Sequence, residues 1–320
     1  MGGTTANDLH VIFGAGQVGS LLATRLLAAG KQVRVARRST GVPAGAALVR
    51  GDAADAKFCI DAATGATAVY HCMNPPYDTR LWADLVPKYL NNLIAAAGRA
   101  GARLVVLDNL YMVGRTGGAP ITEDTAMNPC SRKGEIRARA ATRLFEAHRK
   151  GEVHAVGGRA SDFYGPGGAL THVGEYFWKP VLAGKAGRVL VDPDATHTYH
   201  FIPDVVAGLA ALASAKDDVL GKAWMLPCAP AGTLRQLVDR LAQALGRPLK
   251  ITGAPRLLVK AIGVFVPLVR EVEEMLYQWD EPFVVDDRRF RQRFETEPEA
   301  PQTAARLTVE WALRNYGPGK

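Results

Sequence analysis

The sequence predicts a parallel α/β sheet covered by helices on both faces, followed by a smaller lobe. Over the first half of the chain, short apolar runs alternate with helical stretches, as in parallel sheets that are buried on both sides. The predicted strands are Leu9–Phe13, Gln32–Ala36, Ala47–Arg50, Thr67–Met73, Arg103–Leu107 and Val153–Val156. After the YGPGG segment at residues 164–168, aromatic residues become frequent and the strands shorten, which predicts a separate α/β lobe.

The turn after the first strand is the strongest functional signal. Gly14, Gly16 and Gly19 follow the strand at G-x-G-x-x-G spacing, and an apolar helix then runs to Gly30. Such glycines serve a tight turn, a close approach of backbone to a pyrophosphate, and helix packing. We therefore predict a dinucleotide site, with a glycine-rich turn that binds nothing as the alternative. The predicted loop contacts are Gly14, Gly16, Gln17, Val18 and Gly19.

The end of the second strand favours NADP as the cofactor. NAD sites usually carry an acid there that binds the ribose 2′-hydroxyl. Between Asp8 and Asp52 this chain has no acid, and Arg34, Arg37 and Arg38 stand in that region. Because guanidinium groups match the 2′-phosphate of NADP, we predict that Arg37 and Arg38 bind it. Solvated loop arginines are the alternative.

Composition excludes several other classes of protein. The 320 residues carry a net charge of +8, but the basic residues are scattered and not interleaved with aromatics, so we expect no nucleic-acid partner. An anionic cofactor or substrate accounts for part of this positive net charge. The four cysteines lack metal-binding spacing, so we expect no metal site. No apolar segment suits a signal peptide or a membrane span, and we expect a cytoplasmic protein.

Six motifs together carry a family resemblance that covers nearly the whole chain. They are GAGQVG at residues 14–19, GDAADA at 51–56, AVYHCMN at 68–74, VVLDNLYMVG at 105–114, RASDFYGPGG at 159–168 and HFIPDVVAGLAAL at 200–212. Their order and spacing resemble the extended short-chain dehydrogenase/reductase superfamily, in the NAD(P)-dependent epimerase/dehydratase group. The G-x-G-x-x-G loop, in place of the commoner G-x-x-G-x-x-G, points to its atypical branch.

The resemblance implies a doubly wound Rossmann sheet of about seven strands with a smaller C-terminal α/β substrate lobe. We predict an NADP-binding domain at residues 1–165, to which the chain returns around 196–226. The substrate lobe would then comprise residues 166–195 and 227–320. The resemblance also implies a possible homodimer formed through paired helices of the Rossmann domain.

Four further residues complete the predicted cofactor site. Asp52 and Ala53 follow the third strand, where Asp52 suits a contact to the adenine amine, although a turn aspartate is the alternative. Met73 and Asn74 end the motif of the fourth strand.

The usual catalytic residues of the superfamily are replaced in this chain. Lys133 stands where the tyrosine of Tyr-x-x-x-Lys is expected, Arg137 stands where its lysine is expected, and Asn109 replaces the usual serine or threonine. Lysine can act as an acid or base and stabilise an oxyanion, whereas arginine can still hold ribose hydroxyls. The alternative is a helix that carries solvated basic residues. Tyr111 and Tyr164, just past two strand ends, are substitute proton donors or packed residues.

Two more departures bear on the substrate. Asp162 replaces an asparagine, and His197 replaces an arginine, at positions that commonly serve nucleotide-sugar enzymes. An added acid and a lost arginine both disfavour a nucleotide diphosphate. We therefore predict an NADP-dependent oxidoreductase acting on a small, partly apolar carbonyl or activated alkene. The alternatives are an epimerase or dehydratase of the nucleotide-sugar type that retains its cofactor, and a non-catalytic NADP-binding regulator.

Overall fold

The computed structural model describes residues 8–253, 259, 261 and 264–317. Its strands are β1 (Leu9–Phe13), β2 (Gln32–Arg37), β3 (Ala47–Arg50), β4 (Ala68–His71), β5 (Arg103–Asp108), β6 (His154–Arg159), β7 (Asp162–Tyr164), β8 (Gly187–Val189), β9 (Thr196–His197), β10 (Tyr199–Phe201), β11 (Ala223–Met225), β12 (Gly232–Thr233) and β13 (Ile251–Gly253).

The described helices follow the same chain order. They are α1 (Gly19–Ala28), α2 (Ala56–Ala63), α3 (Thr79–Ala100), α4 (Arg132–Arg149), α5 (Glu175–Leu182), α6 (Ile202–Ser214), α7 (Leu234–Leu245), α8 (Pro267–Glu273), α9 (Arg288–Phe294) and α10 (Pro301–Tyr316), with 3₁₀ turns at Asp217–Val219 and Leu276–Trp279. Among the described residues, every helix is too short or too polar to cross a lipid bilayer.

The chain divides into two compact units. The first comprises the residues up to Asn109, Glu135–Arg159 and Val206–Trp224, and the second comprises Leu110–Gly134, Ala160–Val205 and the residues from Met225 onward. These bounds differ from the expected ones chiefly in giving Leu110–Gly134 to the second unit. That the second unit binds the substrate stays a prediction.

The seven-stranded sheet has the order β11-β6-β5-β4-β1-β2-β3. Strand β1 lies between β2 and β4 and is parallel to both, so the direction of winding reverses beside it. Phe13, at the end of β1, is opposite Ala36 of β2 and His71 of β4, so the three strands finish at the same edge. The doubly wound Rossmann fold is therefore confirmed, and the carboxyl ends of β1 and β4 form the crevice where such sheets bind ligands.

Helix α3 begins earlier than the apolar pattern predicts. The pattern starts at Leu85, whereas the helix starts at Thr79 because the Asp78 carboxylate accepts hydrogen bonds from the N–H groups of Arg80 and Leu81. Gly101, in the left-handed conformation, ends it. A polar first turn capped by aspartate therefore extends the helix beyond its apolar face.

Helices α6 and α7 give opposite outcomes for two predicted caps. Asp204 directly precedes an apolar run at residues 205–213, so the sequence predicts a helix there with Asp204 as its N-cap. This prediction is wrong, because α6 starts at Ile202 and Asp204 lies in its first turn. The Asp204 carboxylate instead accepts the backbone N–H of Glu299 at 3.1 Å. The TLRQ segment at residues 233–236 predicts a capping box between Thr233 and Gln236, and the structure confirms it at the start of α7.

The second unit has its own core and three two-stranded sheets, β7 with β10, β8 with β13 and β9 with β12. Phe177 and Trp178 of α5 are fully buried and pack in one cluster with residues of α7 and α10. Apart from Val206–Trp224, the residues after Tyr164 therefore belong to the second unit, in line with the change of pattern seen in the sequence.

Candidate functional site

Two of the three loop glycines are required by the fold itself. Gly14 has a φ of +94°, and a Cβ there would lie 2.5 Å from Cγ of Met73. A Cβ on Gly19 would lie 1.9 Å from the carbonyl oxygen of Gly14. Gly16 differs, because a Cβ there would meet nothing within 4 Å. Side chains are therefore excluded from Gly14 and Gly19 by the protein, whereas the space beside Gly16 is open to a ligand.

Helix α1 begins directly behind this space. Val18 occupies its N-cap position, and no side chain of the described residues caps it. Gln17 is half-buried, while Val18 and Gly19 are buried. An uncapped helix N-terminus behind a glycine turn suits a pyrophosphate, since its N–H groups and the helix dipole favour an anion. The loop therefore fits the pyrophosphate of a dinucleotide.

The three arginines near the end of β2 have different roles. Arg34 donates to the carbonyl oxygens of Ala62 and Thr64, at 2.7 and 3.0 Å, and so supports the end of α2. Arg37 donates to the carbonyl oxygen of Gly41 in the loop after β2. Arg38 is largely exposed, and its only ion pair in the described structure is 3.8 Å long. Arg37 and Arg38 thus remain the candidates for a 2′-phosphate.

The residues after β3 also hold the local backbone. One oxygen of Asp52 accepts the Ala54 N–H at 2.9 Å, while the other lies 3.8 Å from Arg38. The carbonyl oxygen of Ala53 accepts from the Asn92 side chain at 2.8 Å. The Asp52 side chain therefore stabilises the turn after β3, and its contact with adenine stays a prediction.

Arg137 is the centre of a buried polar cluster at the ends of β4 and β5. Its guanidinium donates to Oδ1 of Asn74, lies 3.4 Å from Oδ1 of Asp108, and stands 4.8 Å from the ring centre of Trp82. The side chain is 6% exposed, and its Nε is buried with no partner among the described residues. The backbone N–H of Asn109 donates a hydrogen bond to Oδ1 of Asp108 at 2.9 Å. The cluster thus keeps one guanidinium donor unused at the carboxyl edge of the sheet.

His71, at the end of β4, is a neutral neighbour of this cluster. Burial, together with the nearby Arg137 charge, lowers the pKa of His71 to about 3. Its Nδ1 accepts the backbone N–H of Met73 at 3.3 Å. His71 therefore fixes the chain that leads to Met73 and Asn74.

Lys133 lies in a separate cluster, in the second unit. Its Nζ is fully buried, donates to the carboxylate of Glu271, and lies 3.2 Å from Oε2 of Glu274 and 3.3 Å from the Glu271 carbonyl oxygen. These three acceptors match the three donors of an ammonium group. The geometry favours an ion-pair anchor over a proton donor, and a catalytic role for Lys133 stays a prediction.

The alternative that α4 carries only solvated basic residues is wrong, since Lys133 and Arg137 are both buried. Sequence reasoning missed the partners of Lys133. Glu274 accepts the backbone N–H groups of Arg132 and Lys133 and so caps α4 from a distant segment. The one available signal was the acidic run at residues 271–274, which gives no indication of where it packs.

The two candidate tyrosines are not equivalent. Tyr164 is buried, its ring lies 5.3 Å from that of Phe201, and burial raises its pKa well above the ordinary value. Tyr111 is half-buried, and its carbonyl oxygen accepts from the Tyr277 hydroxyl at 3.4 Å. The environment of Tyr164 therefore suits packing, and proton donation by either tyrosine stays a prediction.

Asp162 joins two histidines in the second unit. Its Oδ2 lies 2.9 Å from Nε2 of His197, and its Oδ1 lies 3.4 Å from Nε2 of His172. Burial raises the pKa of Asp162, but the hydrogen bonds and charges of both histidines outweigh it and hold the pKa well below its ordinary value. His172 was not a sequence candidate, since nothing in its loop predicts this contact. Among the described residues, no group of three potential ligands is arranged to hold a metal ion.

Comparison with known structures supports the fold. The chain is similar to UDP-glucuronic acid 4-epimerase from Bacillus cereus, solved with NAD, at 14% identity and a TM-score of 0.76, covering 96% of this chain and 99% of that one. It is also similar to dTDP-glucose 4,6-dehydratase from Bacillus anthracis, solved with NAD, at 14% identity and a TM-score of 0.75, covering 96% of this chain and 97% of that one. A third similar structure is UDP-glucose 4-epimerase from Thermus thermophilus, solved with NAD, at 20% identity and a TM-score of 0.74, covering 96% of this chain and 99% of that one.

No curated protein matches the chain significantly in sequence. The sequence profile described as the NAD dependent epimerase/dehydratase family matches residues 11–225, which is more than half of the 320 residues. This segment includes the glycine loop, the buried cluster around Arg137, and Asp162 with its two histidine partners. The chain therefore belongs to the NAD dependent epimerase/dehydratase family.

Proposed function

We propose that the first unit binds NADP and that the protein catalyses hydride transfer on a small hydroxyl- or carbonyl-bearing substrate, keeping its cofactor through the cycle. Family membership and the open space beside Gly16 support this proposal. We prefer this function to the oxidoreductase predicted from the sequence, because the family to which the chain belongs is one of epimerases and dehydratases.

The cofactor supplies the hydride acceptor and donor when bound. Gly16 and the start of α1 would hold its pyrophosphate, and Arg37 and Arg38 its 2′-phosphate. Arg137 would offer its unused Nε–H to a ribose hydroxyl, while Asn74 and Asp108 keep the guanidinium fixed. The buried arginine can bind and orient in this way, but it cannot release a proton near neutral pH.

An NADPH-consuming reductase is the second candidate. The specific observation in its favour is the pair Arg37 and Arg38 in a segment with no acid, which favours the phosphorylated cofactor. Reductases of this kind would consume one NADPH for each substrate molecule. An epimerase or dehydratase would show no net change in the cofactor.

One experiment separates these functions. The protein is incubated with NADP⁺ or NADPH and a panel of UDP-glucose, dTDP-glucose, free hexoses, cyclohexanone and cyclohexenone in deuterated water. Absorbance of the reduced nicotinamide is followed together with product NMR. Product without net absorbance change supports the proposal, and stoichiometric loss of absorbance supports the reductase. Tight cofactor binding with no product from any compound contradicts both enzymatic functions and favours a non-catalytic NADP-binding regulator.

A further inference from the structure

Three consecutive apolar side chains of the second unit face solvent just before α8. Val264, Phe265 and Val266 are 72%, 85% and 41% exposed. Single exposed apolar residues are common on protein surfaces, whereas a contiguous exposed run marks a contact surface. We propose that these three residues, the apolar corner, dock the protein onto an anionic lipid bilayer surface. The inference goes beyond the proposed function and does not depend on it.

The backbone holds the apolar corner in a defined conformation. Phe265 ends a helical segment, Val266 is extended, and α8 begins at Pro267. Because proline disfavours helical backbone at the residue before it, the helical course of the chain breaks at Val266. The carbonyl oxygen of Val266 accepts the N–H groups of Val269 and Arg270, at 3.0 and 3.2 Å. These bonds join the corner to the first turn of α8.

The core of the second unit anchors the chain on both sides of the apolar corner. Val259 is fully buried in the cluster that also contains Trp178, and Val269 and Val272 pack against the same cluster. The apolar residues before and after the corner are thus buried, while those at the corner are exposed. The exposure is therefore specific to the corner and does not reflect loose packing of the whole segment.

The sequence that leads to the apolar corner is strongly positive. Residues 240–270 include six basic residues and no acidic residue. Lys250 and Arg270 are exposed, and neither forms an ion pair with another residue that the structure describes. Arg270 lies one helical turn beyond Val266, to whose carbonyl oxygen its backbone N–H donates. An exposed guanidinium group therefore stands next to the exposed apolar side chains.

The acidic residues that follow Arg270 are less exposed than its guanidinium group. The side chains of Glu271 and Glu274 are only 12% and 15% exposed, and both lie against Nζ of Lys133. Glu273, the other acid of this segment, is half-buried. Arg270 is thus the most exposed charged residue beside the apolar corner, so the corner meets its partner with a positive charge at its edge.

Charge and size together favour a lipid surface over a protein partner. A second copy of the chain, in a symmetric contact, would place the same positive segment against itself. Three side chains also offer far less area than the about 800 Å² per partner of a stable protein interface. A bilayer needs neither a matching groove nor a large area, because apolar side chains enter the headgroup boundary while basic residues are attracted to anionic headgroups.

Cosedimentation of the whole chain with lipid vesicles tests the proposal. Vesicles of phosphatidylcholine and phosphatidylglycerol in equal parts should bind the parent, and added salt should weaken the binding by screening the attraction. Phe265→Asp should lower the partition coefficient by about 10–100-fold, because the transfer of the phenyl ring out of water is lost. Phe265→Leu, which keeps an apolar side chain, should retain most of the binding.

Each variant has a matched control in the first unit. Leu81→Asp introduces the same charge at an exposed apolar residue of α3 and should leave the partition coefficient unchanged. Arg270→Gln should weaken binding about fivefold, the effect of one basic residue near an anionic surface. Arg99→Gln, which removes an exposed arginine from α3, should have little effect. Circular dichroism and urea unfolding establish that each variant is folded, as expected for substitutions at exposed positions.

Several results would overturn the inference. They are no binding of the parent to the anionic vesicles, equally tight binding to vesicles of phosphatidylcholine alone, and undiminished binding of a folded Phe265→Asp variant. A parent dimer in analytical ultracentrifugation that Phe265→Asp converts to a monomer, in place of vesicle binding, would instead assign the apolar corner to a second copy of the chain. None of these measurements uses the cofactor or a substrate, so their outcome is independent of the proposed function.

Discussion

Nζ of Lys133 lies 3.2 Å from Oε2 of Glu274, and the other oxygen of that carboxylate accepts from the backbone at the start of α4. One glutamate thus joins a buried ammonium group to a helix N-terminus, where a negative charge is favoured by the helix dipole. With Glu271 as the second carboxylate, two acids face the buried ammonium group, and the exposed Arg132 guanidinium lies 3.8 Å from Glu274 at the edge of the cluster. Lys133 is therefore needed to keep the two acids buried.

Replacing Lys133 with methionine should be strongly destabilising. The change removes the buried ammonium group that both largely buried carboxylates contact, and breaking a buried pair in this way costs about 3–5 kcal/mol. Urea unfolding at pH 7 measures it. Lys88→Met removes an exposed lysine that pairs with Asp84 at 3.1 Å, and should cost at most about 1 kcal/mol. Equal, small losses for both variants would refute the structural role of Lys133.

The protein should lose stability as pH falls from 7.5 to 5.5. Burial lowers the pKa of His71 to about 3 and that of His200 to about 4, whereas both imidazoles bind a proton near pH 6.5 when unfolded. In the window between these values the unfolded state binds more protons, so acid favours unfolding. Each histidine then removes about 1.4 kcal/mol by pH 5.5.

His71→Asn isolates one of these contributions. Its own stability at pH 7.5 will differ from that of the parent, but its loss between pH 7.5 and 5.5 should be smaller by about 1.4 kcal/mol. Urea titrations at the two pH values give the comparison. An identical loss in variant and parent would show that His71 is not buried in its neutral form.

NADPH should bind more tightly than NADH. Arg37→Asp with Arg38→Ile should weaken NADPH binding by about 1–3 kcal/mol, because charge-assisted bonds to the 2′-phosphate are lost. NADH binding should change much less. Arg80→Ile, which removes an exposed arginine from α3, serves as the control. Fluorescence titrations at fixed salt would contradict the assignment if the parent bound NADH as tightly as NADPH.

The sequence predicts the sheet and the glycine loop because their signals are local. Gly14, Gly16 and Gly19 lie within six residues, and the strand before them and the helix after them can be recognised from apolar periodicity. The clusters around Lys133 and Asp162 could not be predicted, because they join segments distant along the chain. Arg34 illustrates the same limit, since its binding to carbonyl groups at the end of α2 depends on packing that spacing does not encode.

The central claim is that a nicotinamide dinucleotide binds against the loop at Gly16, and calorimetric titration of NADPH tests it most directly. We predict saturable one-to-one binding to the parent. In Gly16→Val, which should keep the parent's circular dichroism because no described atom beyond the two neighbouring residues lies within 4 Å of the added Cβ, binding should be lost. Absence of binding in the parent, or undiminished affinity in a folded Gly16→Val variant, would contradict the account.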